Sequence, residues 1–169
     1  MMKYLLSFVM VVTVLSACKK KGGCDATVGN TSASAQEEAM VTDYIAANNI
    51  TGAVELGSSG LYYVIETPGN SKKPGLCTTV AVKYVGRLTD GTIFDQTTGT
   101  NTAVFSLDRL IESWQRTIPL LGEGGKIKLI VPPALGYGAT GSFNPNTGQY
   151  SIPPNAVLIF DIELVTVAS

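Results

Sequence analysis

Residues 80–95, VAVKYVGRLTDGTIFD, decide how this chain folds. Val80, Val82 and Tyr84 alternate with Ala81, Lys83 and Val85, the two-residue period of a strand with one buried face, and Tyr84 falls on that face. Asp90-Gly91 predicts a tight turn, after which Thr92-Ile93-Phe94-Asp95 runs back. Read with Trp114, the loop at 136–141 and the last strand around Phe160, this hairpin describes an aromatic-lined pocket poor in acid-base groups.

The flanking segments supply the rest of a sheet and one helix. Leu61, Tyr63 and Ile65 face one way and Tyr62, Val64 and Glu66 the other, until Pro68-Gly69-Asn70 ends the strand. Strands follow over 126–131, with Ile127, Leu129 and Val131 inward, and over 157–165, with Leu158, Phe160, Ile162 and Leu164 inward. Between them Ser106 has the character of an N-cap. Leu107, Leu110, Ile111 and Trp114 then stand at i, i+3, i+4 and i+7, which predicts one short helix with Trp114 on its buried face. Alternating strands around a single helix give an α+β domain, an antiparallel twisted sheet wrapped around a short central helix.

Ahead of this domain the composition changes three times. Residues 1–17 hold one charge, Lys3, and an apolar run too short to span a bilayer, so they read as a signal peptide. Leu15-Ser16-Ala17-Cys18 resembles the lipobox of bacterial lipoproteins, in which the cysteine takes lipid; an ordinary signal with an incidental cysteine is the alternative. Residues 18–34, rich in Lys, Gly, Ser, Thr and Asn, read as a flexible tether, and Lys19-Lys20-Lys21 would add to membrane attachment. Ser34 with Glu37 forms a capping box, and Met40, Val41, Tyr44 and Ile45 recur at helical spacing, so a helix is expected over 35–48 within a 35–59 helix-and-linker segment. Its one apolar stripe is expected to pack on the main domain, residues 60–169, with a partner protein as the alternative.

Composition excludes several functions. Loss of Lys3 with the signal leaves 11 basic against 13 acidic residues, a net charge of −2 that gives no electrostatic reason to bind nucleic acid. The chain has no histidine, so Ser-His and Cys-His hydrolases are ruled out, and no metal site is expected because Cys24 and Cys77 form no C-x-x-C and have no histidine to join them. No cofactor is expected either. Gly136-Tyr-Gly-Ala-Thr-Gly141 matches the dinucleotide fingerprint, yet Asn144-Pro145-Asn146 follows where a helix is required, and Asp161 sits within a strand. Gly122-Glu-Gly-Gly-Lys126 fails as a phosphate loop because Ile127 replaces the hydroxyl residue. Export would let Cys24 and Cys77 form a bridge, with two free thiols as the alternative.

A reaction that needs neither nucleophile nor metal remains. Rotation about an X-Pro bond is one, slow because the amide loses resonance at the twisted midpoint, with a barrier of about 18–20 kcal/mol. Tyr84-Val85-Gly86, Asp90-Gly91, Phe94-Asp95, Trp114, Gly136-Tyr137-Gly138 and Phe160-Asp161-Ile162-Glu163-Leu164 resemble, in order and spacing from about residue 60 to 165, the FK506-binding protein family of peptidyl-prolyl cis-trans isomerases.

That resemblance implies a role for each residue. Trp114 would floor the proline site, with Tyr84, Phe94, Ile111 and Phe160 as walls and Leu110 and Ile152 as rim contacts. The Tyr137 hydroxyl and the Ile111 N–H would bond substrate carbonyls, and Asp95 would either face the carbonyl carbon or orient the Tyr84 hydroxyl. The substrates would be proline-containing polypeptides, with FK506-like macrolides as inhibitors. The whole protein is expected to be a monomer, lipid-anchored in the bacterial envelope, facing the periplasm from the outer membrane. Relatives often carry an aromatic residue near Ala103 and a basic one in the loop at 96–102; this chain has neither there, which predicts a looser rim. Ser113 stands where glycine is frequent, and the loop at 142–151 is longer than in the smallest relatives. A binding module or chaperone of the same fold with little turnover is the alternative function, and a structural lipoprotein with core aromatics a third.

Overall fold

The computed structural model of the protein describes residues 26–168. The signal segment, Cys18, the lysines after it and Cys24 lie outside the described residues. Among the described residues, seven strands form one antiparallel sheet. In chain order they are β1 (Val54–Glu55), β2 (Tyr62–Thr67), β3 (Thr79–Leu88), β4 (Ile93–Gln96), β5 (Ala103–Ser106), β6 (Lys126–Val131) and, after a separate hairpin, β9 (Leu158–Val167). Their spatial order is β1-β2-β6-β9-β3-β4, and β5 also pairs with β3. The separate hairpin is β7 (Ser142–Asn144) with β8 (Gln149–Ile152).

Near the middle of the sheet, β3 and β9 pair along most of their length, each with large apolar residues at every second position. Val80 and Val82 on β3, and Leu158, Phe160, Ile162 and Leu164 on β9, are buried together with Ile127, Leu129 and Val131 of β6. Each fully buried Val, Leu, Ile or Phe contributes about 1.5–3 kcal/mol relative to exposure, so this face is where the fold draws its stability. Across it lies the helix α2 (Glu112–Thr117), its Trp114 3% exposed.

The other face of the sheet carries α1 (Ala35–Ala47). Ser34 caps it with a reciprocal capping box to Glu37, Asn48 ends it, and Asn49 and Gly52 follow at positive φ. Val41 packs on Ile130 and Val157, with Tyr44 and Ile45 beside it, while Met40 is exposed. The helix therefore docks on its own domain, as the single stripe predicts.

The helix expected to run from Leu107 to Trp114 is instead two elements. Leu107–Arg109 is a 3-10 turn, Leu110 and Ile111 are extended, and α2 begins at Glu112. The break turns Leu110 and Ile111 into the pocket while Leu107 and Trp114 stay in the core, so the apolar spacing is satisfied without a continuous helix. Gln115 takes up the carbonyls freed by the break, its Nε2 donating to the Asp108 and Leu110 oxygens at 3.2 and 2.7 Å. Ser106 does not cap backbone; its hydroxyl bonds the Asp108 carboxylate.

The expected tether is also fixed at its far end. Thr31 donates through its N–H and its hydroxyl to the Glu112 carboxylate at 3.0 and 2.6 Å, and Arg116 donates to the Gly29 carbonyl at 2.8 Å. Polar composition suggested solvation, but here the polar groups bond α2. Cys77 is exposed in the turn before β3 and is disulfide-bonded, so it is neither a free thiol nor a packed apolar group.

Candidate functional site

The turn in 80–95 builds one wall of a cavity. Gly91 at φ +88 donates to Leu88 O, Leu88 N donates to Thr92 O, and Asp90 Oδ1 accepts the Thr92 N–H, which closes the hairpin as the Asp-Gly pair predicts. Gly86 then lies opposite both Asp95 on β4 and Phe160 on β9. A Cβ at Gly86 would stand 2.6 Å from the Phe94 ring and 3.0 Å from that of Phe160, so glycine is what lets both rings close over β3.

The rings meet around Trp114. Tyr84 and Phe160 approach it edge-on at 5.3 and 5.4 Å between centroids, with interplanar angles of 85° and 86°. Phe94 meets Phe160 at 5.6 Å and 89°, and Phe105 meets Trp114 at 6.2 Å and 84°. Edge-to-face contacts of this kind add about 0.5–1.5 kcal/mol each beyond area burial and fix ring orientation. They leave a cavity of about 330 Å³.

Eight of the nine residues nominated from sequence line it: Tyr84, Phe94, Asp95, Leu110, Ile111, Trp114, Tyr137 and Phe160. Ile152 does not. It ends β8 only 4% exposed, in the main core, where Gly141 lies so close that a Cβ would sit 2.4 Å from the Ile152 carbonyl oxygen. The expectation of a rim contact fails because the base of the hairpin turns this side chain inward.

Phe105 and Arg109 also line the cavity and were missed. Phe105 shares the strand face of Ala103 two residues on, so the two-residue period of β5 could have found it. It supplies an aromatic ring where Ala103 lacks one. Arg109, with its side chain 84% exposed and 3.6 Å from Asp108, brings a basic group to the rim from the chain before α2 and not from the loop at 96–102.

The polar groups divide into used and available. Tyr84 donates its hydroxyl to Asp95 Oδ2 at 2.5 Å, and burial together with that bond pushes the Tyr84 hydroxyl far above the usual phenol range. Tyr137, 40% exposed, has no hydrogen-bond partner for its hydroxyl among the described residues, and burial followed by the charge of Asp95 raises it as well. Its ring is placed by a tight loop: Gly138 N donates to Pro133 O, Gly141 N to Tyr137 O, and Asn155 N to Gly138 O. No helix follows this loop, so it lacks the strand-turn-helix frame of a dinucleotide site. Ile111 is the N-cap residue of α2 with extended backbone, and its N–H has no acceptor among the described residues. The arrangement offers an apolar slot floored by Trp114, whose buried Nε1 also lacks a partner among the described residues, with the Tyr137 hydroxyl and the Ile111 N–H as further donors, one carboxylate, and no group poised as a nucleophile.

Comparison with known proteins agrees with this geometry. A family model described as FKBP-type peptidyl-prolyl cis-trans isomerase matches residues 70–165. The chain is 39% identical over 126 residues to the FKBP-type peptidyl-prolyl cis-trans isomerase FkpA of Aeromonas hydrophila, covering 74% of this chain and 44% of that protein. It is 35% identical over 125 residues to the outer membrane protein MIP of Legionella longbeachae, covering 73% and 51%. The chain thus spans about half the length of the curated relatives it matches. Among solved structures, a peptidyl-prolyl cis-trans isomerase from Pseudomonas syringae pv. tomato is similar at a TM-score of 0.65 and 32% identity, over 83% of this chain and 100% of that one. FkpA from Escherichia coli is similar at 0.64 and 36%, over 79% and 60%. With the sheet, the ring-lined cavity and the matched span all in accord, the chain belongs to the FKBP-type peptidyl-prolyl cis-trans isomerase family.

Proposed function

We propose that this protein is a peptidyl-prolyl cis-trans isomerase that binds X-Pro bonds of polypeptides in the Trp114 cavity and lowers the barrier to their rotation. The observation that carries the reading is the ring of Tyr84, Phe94, Phe105 and Phe160 around Trp114, with Asp95 and Tyr137 at its edge. A planar amide owes much of its polarity to resonance, and twisting removes that resonance. An apolar slot that excludes water therefore disfavours the planar forms more than the twisted one. Each 1.4 kcal/mol of that difference is about tenfold in rate.

In this reading Trp114 carries the proline ring, and Tyr84, Phe94, Ile111 and Phe160 hold it from the sides. The Tyr137 hydroxyl and the Ile111 N–H bond carbonyls flanking the rotating bond. Asp95 holds Tyr84 in place through Oδ2, and Oδ1, without a partner among the described residues, is free to face the carbonyl carbon. No bond is made or broken, and no proton moves. The alternative, a binding module with little turnover, drew on the absence of a rim aromatic at Ala103. Phe105 and Arg109 at the rim favour the enzyme.

The finer placement belongs to the same proposal: acylation at Cys18, export to the envelope with the domain facing the periplasm from the outer membrane, action on folding envelope proteins as a monomer, and inhibition by FK506-like macrolides. The Leu15-Ser16-Ala17-Cys18 sequence supports the anchor. The disulfide at Cys77 supports an oxidising compartment, with Cys24 as its proposed partner. Isomerisation of an X-Pro peptide, followed with and without FK506, tests the activity. Acceleration that the macrolide abolishes is expected, and a folded protein with no acceleration would reject it.

A further inference from the structure

We infer that the segment 29–31 is a strap that sets the position of the pocket floor, with Glu112 as the positioning residue through which it acts; the inference rests on the reading of Trp114 as that floor. Glu112 has no part in the proposed isomerisation, yet it is the most heavily bonded carboxylate near the cavity. Its side chain, 19% exposed, accepts the Thr31 N–H at 3.0 Å and the Thr31 hydroxyl at 2.6 Å, and it pairs with Arg116 one turn on. Arg116, 13% exposed, donates in turn to the Gly29 carbonyl at 2.8 Å. Two residues of α2 thus grip two residues of the strap.

The fit extends to the backbone. A Cβ on Gly29 would stand 2.6 Å from the Glu112 carboxyl group, so any larger residue here would have to displace that carboxylate. Two residues past the strap, Ala33 N donates to Ser59 O at 2.9 Å, which ties the chain beyond Thr31 to the turn before β2.

The helix needs such a brace. At six residues α2 is far shorter than a helix that holds itself in water, and its N-cap, Ile111, has no side chain able to cap it. Its inner side is fixed by Trp114 among the rings. Its outer side is fixed by Glu112 and Arg116 through the strap. Ile111 and Trp114, immediately before and two residues after Glu112, both line the cavity, so a tilt of α2 moves the floor and the Ile111 N–H together.

Trp114 is the only tryptophan of the chain, so its fluorescence reports the floor directly. The test is Thr31→Val in the full chain, which removes the hydroxyl donor at nearly constant volume, with Thr31→Ser as the conservative control. We expect Thr31→Val to shift Trp114 emission and to lower kcat/KM for a proline peptide by up to about tenfold, mainly through KM, since small misplacements of binding groups are costly. Thr31→Ser should restore both. A lower melting temperature with emission and kcat/KM unchanged would make the strap a stability element only and overturn the inference. Trp114→Leu, assayed alongside, separates the two ways of failing. If it weakens proline binding while Thr31→Val does not, the strap alone is wrong; if it changes nothing, the pocket reading is wrong and the strap falls with it.

Discussion

The Tyr84 hydroxyl donates to Asp95 Oδ2 at 2.5 Å across the β3–β4 hairpin, so these two groups of the pocket wall are partnered before any ligand arrives. The donors left for substrate carbonyls are then the Tyr137 hydroxyl and the Ile111 N–H, both at the cavity. The pair also fixes the Tyr84 ring, which meets Trp114 edge-on.

Asp95→Ala should lower kcat/KM by about tenfold, the order expected for one charge-assisted hydrogen bond. Because Asp95 is exposed, the melting temperature should change little. Activity and thermal unfolding measured on the same preparation check this, and parallel losses would assign Asp95 a structural role.

Trp114→Leu should leave a folded protein destabilised by about 2–3 kcal/mol, since a smaller apolar side chain fills only part of a buried site. Its affinity for an FK506-like macrolide should fall clearly. A macrolide titration that matches the unmodified protein would remove Trp114 from the site.

Activity should be flat from about pH 6 to about pH 9. The chain has no histidine, and the Tyr84 and Tyr137 hydroxyls are both raised above the ordinary value of 10.0. Stability behaves differently. Burial pushes the Glu112 and Asp161 carboxyls up, but the Thr31 and Arg116 bonds to the first, and the Lys128 and Arg87 bonds to the second, outweigh it and hold both below their ordinary values of 4.5 and 3.8. The unfolded chain therefore binds more protons in that range, and the stability these groups contribute is complete above about pH 5 and lost as pH falls through the folded values. Melting curves from pH 7 to pH 3 should show that loss, and Asp161→Asn should reduce it. An undiminished loss in the variant would remove Asp161 from the explanation.

Much of this was legible in the chain because β3, β6 and β9 place large apolar residues at every second position, and such a period marks the main buried face. Eight pocket residues followed from that alternation together with the family resemblance. The failures share a cause, which is that tertiary contacts decided them. Leu107 to Trp114 has helical spacing, but only the packed cavity shows why the helix must break at Leu110. Ile152 looks like a rim residue until the β7–β8 hairpin, too short and polar to read as strands, turns it inward. Thr31 belongs to a stretch with the composition of a linker, and nothing local reveals that Glu112, 81 positions away, is its acceptor.

Two outcomes are expected at the cysteines. Cys18→Ser should release the protein from membranes or leave its signal uncleaved, which fractionation and mass spectrometry of the mature N-terminus would detect; a mature wild-type Cys18 without lipid would end the anchor proposal. Cys24→Ser should leave Cys77 without its proposed bridge. In the chain-entropy model a loop of that length is worth up to about 4 kcal/mol, so melting temperature should fall while isomerase activity is largely kept. Two freely alkylated thiols in protein isolated without reductant would contradict the pairing.

The most direct test of the central claim is the rate of cis-to-trans conversion of an X-Pro peptide in the presence of this protein, read alongside Trp114 fluorescence as FK506 is added. Prolyl isomerisation in the ring-lined cavity predicts acceleration well above the uncatalysed rate, lost in step with the quenching of Trp114 by the macrolide. A folded protein that binds the macrolide at Trp114 yet leaves the peptide at its uncatalysed rate would contradict the claim and leave a binding module in its place.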